Sequence, residues 1–358
     1  MRKNYIDNLR WITVLLLIPY HAAMAWNVWG EPNYIYFESN KTISSIVVFL
    51  SPYLMPILFL IAGMCARLSL QKRTIRQYIA ERTKKLLIPF AFGVILIMPL
   101  MTYIADRFNY GYEGNFFRHY VIFFTKFTDL TGADGGFSVG QFWFILYLFL
   151  ISTITVKAAA LLKKTTPECK KDMPLWLICL LGLPLLLLSE LLSIGGKSFA
   201  EYTYIFLVGY YVFSNDNVID KIKRFRCLFL CIGLTATFLN VYLFIWADTQ
   251  YQTINTVIKF TSEWFMLISL IGTGKRYLDF SGKVSKYMSQ RSFAFYILHY
   301  IWIVLLQFLM FDIFGDSIVV LYTVPVVLAY CITLLCCEIC IRIPPLCFLM
   351  GIKPLNKE

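Results

Sequence analysis

The sequence predicts an all-α, polytopic membrane protein of about ten transmembrane helices, with both termini on the cytoplasmic side. Three observations carry this expectation. The 358 residues are 59% hydrophobic, with a mean hydropathy of +0.66. Only 15% are charged, against about 25% in an ordinary soluble domain. The apolar residues also gather in long runs separated by short polar loops, and a helix needs about 20 such residues to cross a bilayer. Lipid offers no partner for unsatisfied peptide groups, so runs of this length must be helices. So few charges exclude a soluble enzyme, a disordered tail and a disulfide-stapled secreted domain.

In chain order the apolar spans are 10–29, 44–66, 86–105, 141–162, 173–194, 200–213, 227–247, 256–273, 291–311 and 318–341. The sixth is short and the eighth carries Glu263. Little remains outside them, so residues 1–358 are expected to form a single transmembrane domain with no separate soluble part. No internal repeat is evident, nor the inverted-repeat symmetry of many secondary transporters.

The loops alternate in charge. Segments 1–10, 67–85, 163–171, 214–226, 275–291 and 342–358 hold 26 Lys and Arg; the intervening loops 30–43, 106–140, 195–199, 248–255 and 312–317 hold 5. Positive-inside sorting therefore places both termini in the cytoplasm, as an even span count requires. That sorting accounts for the net charge of +12 without a nucleic-acid partner, whose sequence patterns are missing.

The ten cysteines, among them Cys169 and the group from Cys331 to Cys347, fall in apolar runs or cytoplasmic loops. They read as soft packing residues rather than a disulfide framework or a metal site. At the N-terminus, Arg2 and Lys3 precede a short apolar run and Ala23-Met24-Ala25, which imitates a secretory leader. Asp7 and the return of apolar character argue against cleavage.

Arg10 and His21 form the first chemical constellation. Eleven residues of straight α-helix turn 20° past three full turns and rise about 16 Å, which puts both side chains on one face. Arg10 then sits at the cytoplasmic rim and His21 near mid-membrane, where an ionisable group is a functional candidate by default. Pro19 can kink this helix and free a carbonyl nearby. His299 and Glu263 reach a similar depth, about 13–15 Å in. Two imidazoles and a carboxylate at one depth suit a general-base relay, or alternatively an interhelical polar clamp. Glu190 and Glu338 rank lower.

Arg82 and Lys85, one nominal turn apart before Leu86-Leu87-Ile88-Pro89, suit an anion site together with Arg10. The rest of the basic loop 67–85 reads as topology sorting and lipid head-group contact. The outer loop 106–140 holds Asp106, Glu113, Asp129, Asp134 and a glycine-rich stretch from Thr131 to Gly136. It reads equally as a solvated connector or as a lid for an arriving acceptor. Outer-loop aromatics such as Trp29, Tyr34, Tyr36, Tyr110 and Tyr112 fit sugar stacking and an interfacial belt alike.

Several motifs together resemble the acyltransferase-3 family, and within it the branch typified by the periplasmic-glucan succinylating protein. They begin with Asp7-Asn8-Leu9-Arg10 and the R-x(10)-H spacing to His21. They continue through Tyr53 to Gly63, then R-x-x-K-L-L-I-P from Arg82 to Pro89 and Trp143-Phe144-Ile145-Leu146-Tyr147. They close on Trp264, Leu270-Ile271-Gly272 and Ser292 to His299. R-x(10)-H alone is a weak signal, but the ordered set runs from Asp7 to about Ile303. Two departures stand out: Lys85 replaces a family arginine, and Tyr53-Leu54 stands where the branch has an Arg before Met-Pro.

The resemblance implies a multi-pass protein of the cell membrane, of bacterial inner-membrane or plasma-membrane type. It implies an O-acyltransferase moving an acetyl or succinyl group from cytoplasmic acyl-CoA to a hydroxyl of an extracytoplasmic glycan or related, lipid-linked acceptor in the cell envelope. His21 is then the catalytic histidine, assisted by His299 and Glu263, with Arg10, Arg82 and Lys85 holding the donor. Acyl-CoA is a co-substrate; no bound cofactor or metal is expected. The alternative class is a secondary transporter or flippase for an anionic metabolite, which also fits mid-membrane His and Glu between basic rims.

Overall fold

In the computed structural model the described residues are 3–161, 173–247, 252–315 and 317–354. Cys169 and the basic segment 163–171 lie outside them. Among the described residues the chain is all-α apart from one two-residue-per-strand hairpin, Ser193–Ile194 with Lys197–Ser198. Its turn is Gly195-Gly196, both at positive φ, as a tight hairpin of this hand requires. Among the described residues, eight helices are long and apolar enough to cross a membrane, and the protein is a multi-pass membrane protein.

Two of the ten expected spans take a different form. Over 173–194 the chain makes two short helices, Leu175–Leu180 and Pro184–Leu188. Gly182 and Pro184 interrupt the apolar run, and Pro184 sits where its missing N–H costs least, in a first turn. Over 200–213 a helix runs Phe199–Tyr211, capped by Ser198 accepting from the Glu201 N–H. Its 13 residues rise about 20 Å, short of a hydrocarbon layer near 30 Å.

The first apolar span is itself broken. It runs as Asn4–Leu15, a turn at Leu16, Leu17–Ala23 and a 3₁₀ turn Met24–Trp26. Pro19 has no N–H for the Leu15 carbonyl, four residues back. Tyr330 fills the gap, its hydroxyl donating to that carbonyl at 2.8 Å. The Tyr322 hydroxyl reaches the Pro19 carbonyl at 3.4 Å. The interruption at Leu16 lies between Arg10 and His21, with Leu16 itself still in the right-handed helical region.

The chain divides into two compact units. The first comprises 1–13, 48–82 and 147–289. Helices Lys41–Leu70 and Phe199–Tyr211 meet there at Gly63 and Gly209. A Cβ on Gly63 would lie 2.1 Å from the Phe206 carbonyl oxygen, and one on Gly209 2.2 Å from that of Leu60. Only glycine permits so close a backbone approach, a common device between membrane helices. Buried Phe213 and Trp264 pack nearby, with the Trp264 indole donating to the Ile178 carbonyl at 3.1 Å.

The second unit comprises 14–47, 83–146 and 290–358. Its core includes Trp26, Phe123, Phe142 and Tyr296, all under 2% exposed. Within it the helical stretch up to Tyr110 contains π-helical turns at Thr83–Leu87 and Gly93–Ile97. Arg291 is bonded to Glu338 at 2.5 Å, and Arg342 shares that carboxylate.

Candidate active site

The second unit brings His21 and His299 together. The sequence delivers them on two helices, Leu17–Ala23 and Lys283–Phe314, and their ring centroids lie 5.3 Å apart. His299 is fully buried, whereas His21 is partly exposed. Nδ1 of His299 lies 2.8 Å from the Tyr296 carbonyl oxygen. A carbonyl only accepts, so Nδ1 carries the proton and Nε2 presents its lone pair. That Nε2 has no hydrogen-bond partner among the described residues. Tyr296 is fixed in turn by its hydroxyl donating to the Gln141 carbonyl, and its ring packs edge-on against Phe144.

His21 is held on several sides. Tyr300 stacks on it with a centroid separation of 3.9 Å and 23° between planes, and Tyr20 meets it edge-on. One residue along, the Ala22 carbonyl accepts from the Gln307 amide at 3.0 Å. Ring stacking and backbone anchoring leave the imidazole little freedom to turn.

Arg10 and Arg82 belong to the first unit. The Arg10 guanidinium reaches Asp7 at 3.2 Å and the Cys65 sulfur at 3.3 Å, with over a third of its side chain exposed. Arg82 lies over the Tyr78 ring, 4.9 Å from its centroid. This arrangement leaves planar donors within reach of an anion.

Lys85 lies in the π-helical turn Thr83–Leu87, in the second unit. Hydrogen bonds there run i→i+5, a wider turn than the α-helical one assumed for the Arg82–Lys85 spacing, so the expected common face does not carry over. Glu263 is in the first unit, 1% exposed, with Glu201 and Lys259 as its electrostatic neighbours. Its Oε1 has no hydrogen-bond partner among the described residues. Of the three expected catalytic residues, the geometry therefore pairs the two histidines.

Sequence reasoning passed over the third histidine of the chain. His119, in helix Phe116–Thr125, is fully buried, with Nε2 3.3 Å from Asp106 Oδ2. Gly135 closes over the pair at φ +82°; a Cβ there would meet Asp106 Oδ2 at 2.6 Å and His119 Nε2 at 2.7 Å. Burial lowers the His119 pKa, while the Asp106 carboxylate pulls it up and Lys126 pushes it down further. Nearby, burial disfavours the Asp134 charge, but the Gly136 N–H, Thr128 and Lys126 outweigh it and hold that carboxyl below its usual range. The loop 126–136 is thus an ordered clasp. The signals available were the scarcity of histidine and the glycines opposite it.

A family model described as an acyltransferase domain, that of acyltransferase family 3, matches residues 3–342. No curated protein and no solved structure matches the chain.

Proposed function

The chain belongs to the acyltransferase-3 family, and from that premise we propose that this membrane acyltransferase moves an acetyl or succinyl group from acyl-CoA to a hydroxyl on an extracytoplasmic glycan or related acceptor. The observation that carries the reading is the paired His21 and His299 in the second unit, one partly exposed and the other a buried base of fixed tautomer. Such a pair suits general-base chemistry on a hydroxyl.

In this mechanism the donor's phosphates bind Arg10 and Arg82, with Lys85 as a further cation. The pantetheine arm brings the thioester to His21. The His21 imidazole takes the proton of the acceptor hydroxyl as its oxygen bonds to the thioester carbonyl carbon. The tetrahedral oxyanion collapses, the C–S bond breaks, and the thiolate leaves with the proton from the imidazolium. Neutral His299 and the stacked Tyr300 keep the His21 ring oriented through both proton transfers. Glu263 serves this reading only as an internal acid of the first unit.

The test is thiol release. Purified protein in proteoliposomes is given acetyl-CoA or succinyl-CoA together with envelope glycan, and free CoA is titrated. Acyl transfer yields one thiol per ester formed. Movement of label across the bilayer with no thiol released would instead establish the transporter reading and overturn this one.

A further inference from the structure

We propose that Tyr300 is the positioning residue of His21, and that Asn33 and Asn109 tie it to the loops on the acceptor side. The inference rests on the reading of His21 as the base and adds to it how that base is held. Tyr300 follows His299 directly on the Lys283–Phe314 helix. Its ring covers one face of the His21 imidazole at 3.9 Å. Its hydroxyl donates to Asn33 Oδ1 at 2.8 Å, and both residues are under 9% exposed. A ring stacked on an imidazole and pinned at its far end cannot rotate independently of its anchor.

The anchor is built rather than incidental. Asn33 lies in the loop between Trp26 and Lys41, and its own amide donates to the Ile35 carbonyl at 3.1 Å. Asn109, near the end of helix Met98–Tyr110, donates through one amide nitrogen to three carbonyls: Asn33 at 3.0 Å, Ala133 at 3.1 Å and Tyr34 at 3.3 Å. One side chain therefore ties the loop that pins Tyr300 to the glycine-rich loop of 131–136. A displacement of the Asn33 loop is transmitted to the plane of the imidazole through one hydrogen bond and one stack, and a displacement of the 131–136 loop through three hydrogen bonds and the same stack. A ring that merely filled core space would need no hydroxyl, and phenylalanine would serve equally.

The test reads His21 directly. Diethylpyrocarbonate acylates neutral imidazole nitrogen, and the three histidines of the chain are resolved by peptide mass after modification of the full-length, reconstituted protein. Tyr300→Phe keeps the stack and removes the anchor; Asn33→Ala removes the anchor from the other side; Tyr300→Leu removes both. The two anchor variants are expected to raise the His21 modification rate about threefold and Tyr300→Leu about tenfold, the range that one hydrogen bond and one aromatic pair cover. His119 in the same digests keeps its wild-type rate. The kcat for CoA release from acetyl-CoA falls by a similar factor while KM holds. Unchanged His21 rates in all three variants, or His21 and His119 rising together, would overturn the positioning role. The modification readout needs no acyl transfer. If wild type releases no CoA thiol yet shows this pattern, the proposed reaction fails and the positioning of His21 stands.

Discussion

The second unit contains two histidine sites built on opposite principles. At one, His21 and His299 are held by rings and by a backbone carbonyl, and the His21 residue is partly exposed. At the other, His119 is fully buried against a carboxylate and roofed by a glycine at φ +82°, where a larger residue would be strained and would crowd the pair. Burial beside a carboxylate closes His119 off. Stacked rings hold the plane of His21 in a residue that keeps some exposure. The difference teaches that a buried Asp–His pair is by itself a weak sign of catalysis; access decides.

Breaking each site should separate them most widely. His21→Ala is expected to lower acyl transfer by about 10²–10⁴-fold, the usual contribution of a general base. His119→Gln should leave it within a few-fold. Envelope ester content, normalised to inserted protein, measures both, and equal losses would erase the distinction.

The donor side offers the next effect. Arg10 pairs with Asp7 and reaches the Cys65 sulfur in the first unit, with over a third of its side chain exposed. Arg10→Leu is expected to raise KM for acyl-CoA by about tenfold with kcat retained, as for a lost charge-assisted contact to a phosphate. A fall in kcat at constant KM would move Arg10 from binding into the chemical step.

A smaller effect concerns pH. His119 has its pKa lowered by burial, so it folds neutral, and the unfolded chain binds the extra proton first. Its contribution to stability is therefore full above the ordinary imidazole value, about 6.5, and is lost as pH falls through the lower folded value. Amide protection factors across 126–137, corrected for the intrinsic pH dependence of exchange, should fall between pH 7.5 and 5 in wild type. The same step should shrink in His119→Gln. Protection that rises on acidification would reverse the sign.

The smallest effect tests the kink. Tyr330→Phe strips the Leu15 carbonyl of its substitute donor and should cost about 1 kcal/mol, one net hydrogen bond, read as a lower midpoint of thermal unfolding in detergent. No shift would mean that the carbonyl finds another partner.

Much of this was legible in the sequence, and unevenly so. The membrane helices were, because lipid enforces a length and a composition on each. The span 173–194 misled, since apolar composition alone cannot register a Gly182–Pro184 interruption, whereas the shortness of 200–213 was visible in its length. Pro19 announced a freed carbonyl, but its acceptance by Tyr330 is a tertiary fact, more than 300 residues away in sequence. His21 and His299 stood out because imidazoles are rare in apolar runs. His119 did not, since a histidine in a polar loop looks ordinary until its burial is seen. Tyr300 was hidden among 23 tyrosines. The π-helical turn at Lys85 leaves no pattern in residue type at all.

The account depends on the thioester arriving at the His21 imidazole. Bromoacetyl-CoA places an electrophilic carbon where the acyl group lies, and a nearby imidazole nitrogen displaces its bromide to leave a stable adduct. Peptide mapping of reconstituted protein is expected to find the adduct on His21, with acetyl-CoA protecting it and His119 unlabelled. Labelling confined to cysteines or to His119, or His21 labelling that acetyl-CoA does not suppress, would contradict the claim.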